Sequence, residues 1–350
     1  MKHLVIDCRM YGEKYGGIGR YVKEIVNHII KDNFKLTLLC GLEAYEDLKG
    51  VQSIHLIKMN SSIFSIQEQF ELFFKIPKSD IFWSPYMNVP FLPIRAKKRV
   101  VTLHDVFHLA NPQYYSFFKK LAIWPYYFFS TKLSNTIFTV SYFSKKEIIR
   151  FFGKKIGNKT DVIYNGCDID SENIKPIVLS KPYILFVGSI KPHKNLSNAL
   201  LAFDILKKDN VNFIIVGKKN GFITGDKNIF ELVKNINKKE ERIIFTDNIS
   251  DEILYSYYKG AKMLIMPSLY EGFGLPIIEA MKFNTPIVCS DIEIFHEIGN
   301  EKLFYFNPKS HNDIAKKIKF ALEYDSICYN VKITQWKDTS NKIKYKFQQL

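Results

Sequence analysis

Two glutamates eight residues apart bracket a glycine-rich turn in Glu271-Gly-Phe-Gly-Leu-Pro-Ile-Ile-Glu279. Gly272 and Gly274 let the backbone come close to a ligand. A helix opening at about Leu275, with Pro276 in its first turn, offers unpaired N–H groups suited to a diphosphate. Glu279 falls one turn inside that helix, where it can accept hydrogen bonds from ribose hydroxyls, and Glu271 precedes the turn, where it can reach a sugar. The loop through Gly272, Phe273, Gly274 and Leu275 is thus suited to hold both ends of a nucleotide sugar. The plainer alternative is a strand-turn-helix connection with two solvated glutamates.

A second loop, Gly188 to Asn195, follows an apolar run and introduces a helix. It carries Ser189 and Lys194, and the lysine supplies a compact positive charge close to a helix N-terminus, where phosphate is favoured. A surface lysine in a turn is the competing reading. Gly16-Gly17-Ile18-Gly19 opens the first long helix but is no dinucleotide fingerprint, because the third glycine counted from Gly17 falls on Val22. His104-Asp105 stands at the carboxyl end of a strand, where open sheets place chemistry. His108 lies four residues on, yet no H-E-x-x-H pattern or third ligand accompanies the pair, so no metal is expected there. Asp168 and Asp170 read as solvated acids of an interdomain turn.

These segments resemble the blocks of the family 4 retaining glycosyltransferases. The resemblance is carried by the Glu271–Glu279 motif together with Tyr15-Gly-Gly-Ile-Gly-Arg-Tyr21, Leu103-His-Asp-Val-Phe-His108, Val140-Ser-Tyr-Phe-Ser-Lys-Lys-Glu147, Val162-Ile-Tyr-Asn-Gly-Cys-Asp168 and Phe186-Val-Gly-Ser-Ile-Lys-Pro-His-Lys-Asn195. All stand in family order, and Gln335-Trp336 with the helix after it is similar too. The resemblance implies a GT-B fold, a nucleotide diphosphate sugar as donor and retention of anomeric configuration. It implies that Lys194 neutralises the leaving diphosphate, that Gly17 approaches the donor phosphates and the acceptor, and that His104 lies beside the transferred sugar. It also implies a sugar-positioning role for Glu271, although Glu271 is the only obvious carboxylate for a nucleophile; front-face substitution is the working assumption. Many members carry an arginine after the glycine or before the lysine of the Gly188–Asn195 loop, whereas Ser189 and His193 stand here. The nearest resemblance is to bacterial surface-polysaccharide mannosyltransferases, which points to GDP-mannose; a UDP-sugar donor and a non-catalytic membrane-associated scaffold are the alternatives.

Positioning these residues requires repeated β-α units. At 350 residues, 47% hydrophobic and 24% charged, the chain has the size and balance of two α/β domains. Candidate strands of the first half are Leu4–Cys8, Leu36–Cys40, His55–Lys58, Ile81–Ser84, Val100–Leu103, Ile137–Val140 and Val162–Tyr164. Those of the second are Ile184–Val187, Phe213–Val216, Ile243–Phe245, Met263–Met266, Ile287–Cys289 and Leu303–Tyr305. The polar stretch Asp168–Pro182 lies between the series. The expected fold is therefore α/β, with two Rossmann-like doubly wound parallel-sheet domains facing a central cleft. Residues 1–170 form an acceptor-side domain, 171–330 bind the nucleotide sugar, and 331–350 form a helix crossing back over the linker.

Five unpaired, widely spaced cysteines, Cys8, Cys40, Cys167, Cys289 and Cys328, read as buried thiols. No apolar stretch reaches the roughly 20 residues of a spanning helix, and the start lacks a secretory signal, so a cytoplasmic location is expected. Of the net charge of +15, most sits between Arg95 and Lys159, where 13 lysines and arginines face two acids. That region holds Phe117-Phe-Lys-Lys-Leu-Ala-Ile-Trp-Pro-Tyr-Tyr-Phe-Phe129. Basic aromatic segments suit the headgroup zone of anionic membranes, where a lipid-linked saccharide acceptor would be met; packing of these rings in the core is the alternative. A nucleic-acid partner is not expected, because no recognition module is present and Glu271 and Glu279 repel phosphate.

Overall fold

The computed structural model describes residues 1–207, 210–217, 227–246, 249–329 and 331–350. It divides into two compact units, one of Met1–Gly166 with Thr334–Leu350 and one of Cys167–Ile333.

The first unit is built on seven parallel strands: β1 (His3–Cys8), β2 (Lys35–Cys40), β3 (Ile54–Lys58), β4 (Ser79–Ser84), β5 (Ala96–Thr102), β6 (Thr136–Thr139) and β7 (Thr160–Val162). Their order is β3-β2-β1-β4-β5-β6-β7, and in register His3 stands opposite Lys35 while Leu4 faces both Leu36 and Ile81. Central strands such as Leu4-Val5-Ile6 are fully buried, as helices on both faces of a parallel sheet require. Helix Gly16–Ile29 buries Gly19, Val22, Val26 and Ile29 at three- and four-residue spacing. The last helix, Trp336–Gln349, belongs to this unit: Phe347 packs on Trp83 and Phe138 at 5.5 and 5.8 Å. Gly166 lies so close beneath it that an added Cβ would stand 2.2 Å from the Trp336 nitrogen.

The second unit carries β8 (Tyr183–Val187), β9 (Asn212–Val216), β10 (Ile243–Thr246), β11 (Met263–Met266), β12 (Ile287–Ser290) and β13 (Phe304–Phe306). They are parallel, in the order β10-β9-β8-β11-β12-β13. Phe186, Phe203, Phe213 and Ile265 are among the side chains of its core.

Both sheets are the doubly wound sheets read from the sequence, with shifted edges. β5 begins at Ala96, because Lys97 and Arg99 tolerate a strand that points them toward Asp80 and the carbonyls of Pro90 and Leu92. β7 is Thr160–Val162, two residues earlier than its apolar run. The cysteine reading needs one correction: Cys8, Cys40, Cys167 and Cys289 are buried, but Cys328 is exposed, since it lies in the irregular segment after helix His311–Ala321.

Candidate functional site

In the second unit the chain reverses its winding between the neighbouring strands β8 and β11, and open sheets bind ligands at the carboxyl ends of such a pair. The two loops singled out in the sequence leave those two ends. After β8 come Gly188, Ser189 and a 3-10 turn, Pro192–Lys194, before helix Leu196–Ile205. After β11 come Ser268, Glu271 and the glycine turn, then helix Leu275–Lys282.

The loops are tied together. Asn195, in a left-handed conformation, donates its side-chain amide to the carbonyls of Pro267 and Pro308 at 3.0 and 2.8 Å, and the Leu269 amide donates to the His193 carbonyl at 2.8 Å. This cross-linking sets Lys194 Nζ 2.5 Å from Glu271 Oε1, and Ser268 Oγ donates to the same oxygen at 2.7 Å. Both charged side chains are mostly buried. Burial alone would push the Glu271 carboxyl up, but Lys194, the hydrogen bond from Ser268 and the nearby His193 outweigh it and hold the group below its ordinary value.

Gly274 caps the following helix at φ 100°, a conformation that favours glycine, and Gly272, Phe273 and Gly274 are buried while Leu275 is half-buried. Glu279 is buried inside that helix and accepts the Tyr258 hydroxyl at 2.8 Å. Thus Ser189, Lys194, Glu271, Gly272, Phe273, Gly274, Leu275 and Glu279 all belong to two loops and one helix of the second unit.

His104 and Gly17 belong to the first unit. His104 follows β5; its Nε2–H donates to the Pro85 carbonyl at 3.0 Å, and the edge of Tyr21 meets the ring at 4.8 Å. Burial drives its pKa down to about 4 against the opposing effect of that hydrogen bond, so the ring is neutral at pH 7 with Nδ1 an acceptor. His108 instead directs Nδ1 to the Tyr127 hydroxyl at 3.0 Å. Gly17 is exposed in the first turn of helix Gly16–Ile29. Nearby, Gly19 passes so close to the Gly12 carbonyl that a Cβ would lie 1.8 Å from it. Asp170 accepts the Glu172 amide and the Asn173 side chain, the pattern of a turn acid. Among the described residues no three of His, Cys, Asp and Glu converge as metal ligands.

One buried charge network went unread in the sequence. Arg9, just past β1, donates to Asp7 at 2.8 and 2.6 Å and pairs with Glu68 at 2.6 Å, while Asn88, after β4, donates to Glu68 at 3.1 Å. It sits at the carboxyl ends of β1 and β4, where the first sheet reverses its winding. Burial raises the Glu68 carboxyl, and Arg9 opposes that rise. The only hint in the sequence was the pair Asp7 and Arg9 at the end of an apolar strand; Glu68 arrives from a helix 59 residues on.

Comparison with known proteins matches residues 15–171 to the model of Glycosyltransferase Family 4 and residues 169–334 to that of Glycosyl transferases group 1. The chain is 32% identical over 232 residues to the O-antigen chain mannosyltransferase RfbU of Salmonella typhimurium, a span covering 64% of this chain and 60% of that one. It is 29% identical over 248 residues to O-antigen chain mannosyltransferase B of Escherichia coli, covering 67% and 64%. The chain therefore spans less than two thirds of either relative. The crystal structure of Anabaena HepE in complex with UDP and glucose superposes with a TM-score of 0.73 at 18% identity, over 100% of both chains, a likeness of fold.

Proposed function

We propose an activity from the premise that this chain belongs to the glycosyltransferases, through family 4 over its first half and group 1 over its second. The reaction is transfer of a hexose from a nucleotide diphosphate sugar to a saccharide acceptor. The observation that carries it is the Lys194–Glu271 pair, set beside a glycine-capped helix at the switch point of the second sheet.

Breaking the anomeric bond leaves a cation-like sugar and new negative charge on the departing diphosphate. Lys194 and the N–H groups at the start of helix Leu275–Lys282 are the groups of this chain suited to stabilise that charge. Glu279, oriented by Tyr258, takes the ribose hydroxyls, and Ser189 lines the phosphates. Glu271 is fixed by Lys194 and Ser268, which suits a carboxylate that orients sugar hydroxyls better than one free to attack carbon. Retention then proceeds by front-face substitution. With a lysine and a helix terminus supplying positive charge, the reaction runs without a metal.

The O-antigen chain mannosyltransferase relatives support a mannosyl donor and a surface-polysaccharide acceptor; we take GDP-mannose as that donor and a lipid-linked saccharide as that acceptor. Among the described residues no helix is long and apolar enough to cross a membrane; peripheral association with the cytoplasmic face would bring the chain to such an acceptor. A UDP-sugar is the second reading, favoured by the UDP held in HepE on the same fold. A thermal-shift panel of GDP-mannose, UDP-glucose and UDP-galactose tests the choice: stabilisation by GDP-mannose alone is expected, and stabilisation by a UDP-sugar alone overturns the mannosyl reading.

A further inference from the structure

The first unit turns two rows of large apolar side chains away from its core. Helix Ile66–Lys75 exposes Ile66, Phe70, Phe73 and Phe74, and helix Phe117–Leu133 exposes Phe117, Phe118, Leu121 and Trp124. In helix Ile66–Lys75 the spacing places these residues on one side, while Glu68, Gln69 and Leu72 face inward; in helix Phe117–Leu133 they lie in the first half, where residues 117–122 are all exposed, and the buried Tyr127, Ser130 and Thr131 lie in the second half. A single exposed phenylalanine needs no explanation, whereas rows of them do.

Both helices are anchored on the same connection after β4. Glu68 and Gln69 of the first accept from the Asn88 side chain and the Phe91 amide at 3.1 and 2.7 Å. From the second, Tyr126 and Phe129 pack on the Phe91 ring at 4.9 and 4.6 Å, and Ser130 donates to the Met87 carbonyl. Phe64, just before the first helix, touches Tyr126 at 4.9 Å. The two rows therefore belong to one piece of the unit.

The charges around them are of one sign. Helix Phe117–Leu133 holds no acid and exposes Lys119, Lys120 and Lys132. The acids of the other helix are engaged: Glu68 is fully buried beside Arg9, and Glu71 takes Lys75 Nζ at 2.7 Å together with the Asn60 and Ser61 amides. At that helix's end the exposed Arg95 donates to the Phe74 carbonyl at 3.2 Å. Apolar rings flanked by unneutralised lysines complement the headgroup layer of an anionic bilayer, where rings enter the acyl boundary and ammonium groups meet phosphate.

We propose that the exposed faces of helices Ile66–Lys75 and Phe117–Leu133 together form a docking surface for an anionic lipid bilayer. This deepens the lipid-linked acceptor reading and rests on it only for its purpose. It extends beyond the basic segment visible in the sequence, because half of the surface comes from a helix outside that segment.

The test is co-sedimentation of the full chain with phosphatidylcholine vesicles with and without phosphatidylglycerol, at low and high salt. Three double variants are compared: Phe70→Ser with Phe74→Ser, Phe118→Ser with Leu121→Ser, and Lys119→Glu with Lys120→Glu. Binding is expected only with phosphatidylglycerol, to weaken with salt, and to fall at least about tenfold in each variant, with solution turnover of nucleotide sugar and unfolding temperature unchanged. Binding indifferent to lipid charge, or undiminished in the Phe70/Phe74 variant, overturns the proposal. So does lipid-free self-association that these variants abolish, since a second copy would then be the occupant. Vesicle binding without any nucleotide-sugar turnover retains this surface and defeats the functional reading; turnover without vesicle binding does the reverse.

Discussion

Lys194 and Glu271, 77 residues apart, form an ion pair of 2.5 Å that joins the loops leaving two adjacent strands. Each is the other's counter-charge, so an incoming diphosphate competes with Glu271 for Lys194. The Glu271 pKa is depressed, so its contribution to stability is present above the ordinary carboxylate value of about 4.3 and is lost only as pH falls through the lower, folded value.

Replacing Glu271 by Gln keeps the shape and removes the competitor. Affinity for a nucleoside diphosphate is expected to hold or tighten by up to about tenfold, while kcat falls about a hundredfold because the sugar loses its anchor. Calorimetric titration and steady-state rates separate the two, and unchanged kcat would remove Glu271 from the chemistry.

Tyr258 donates to the buried Glu279. Tyr258→Phe is expected to weaken nucleotide binding by about tenfold, near 1.4 kcal/mol, with kcat little altered; Glu279→Ala should weaken it further. If both variants bind nucleotide normally, the ribose assignment is wrong.

His104 gives a pH signature. Its folded pKa of about 4 lies below the unfolded value of about 6.5, so the unfolded chain binds the proton more tightly between them. Stability is full above about pH 6.5 and falls by up to about 3 kcal/mol as pH drops toward 4. Urea unfolding at pH 7.5 and 5 should show a smaller loss in His104→Gln, which can still donate to Pro85. An equal loss in both proteins would show that His104 does not titrate this way.

Activity should survive excess chelator, because Lys194 and the helix start supply the positive charge. Complete loss with EDTA, restored by manganese, would contradict this and redirect attention to Asp168 and Asp170.

The fold was legible because parallel strands covered on both faces are nearly continuous apolar runs, as in Met263–Met266, with turns and helical spacing between them. Edges such as Ala96–Arg99 were not, since charged residues there are satisfied by partners distant in sequence. The glycine turn and Lys194 could be read from local spacing. Their pairing, the Arg9–Glu68 network and the outward face of helix Ile66–Lys75 could not: each depends on which strand ends become neighbours, a property of topology. Phe117–Phe129 offered two readings, membrane or core, and its helix divides them, with Tyr127 inside and Phe118 outside.

The most direct measurement is release of nucleoside diphosphate from GDP-mannose by the purified chain without acceptor, with the freed sugar's anomer read by NMR as it forms. Slow release with retained configuration, reduced about a hundredfold or more in Lys194→Ala, is the expected result. Equal release by the wild-type and Lys194→Ala chains, or no release from any nucleotide sugar in the panel, would contradict a transferase built on this site.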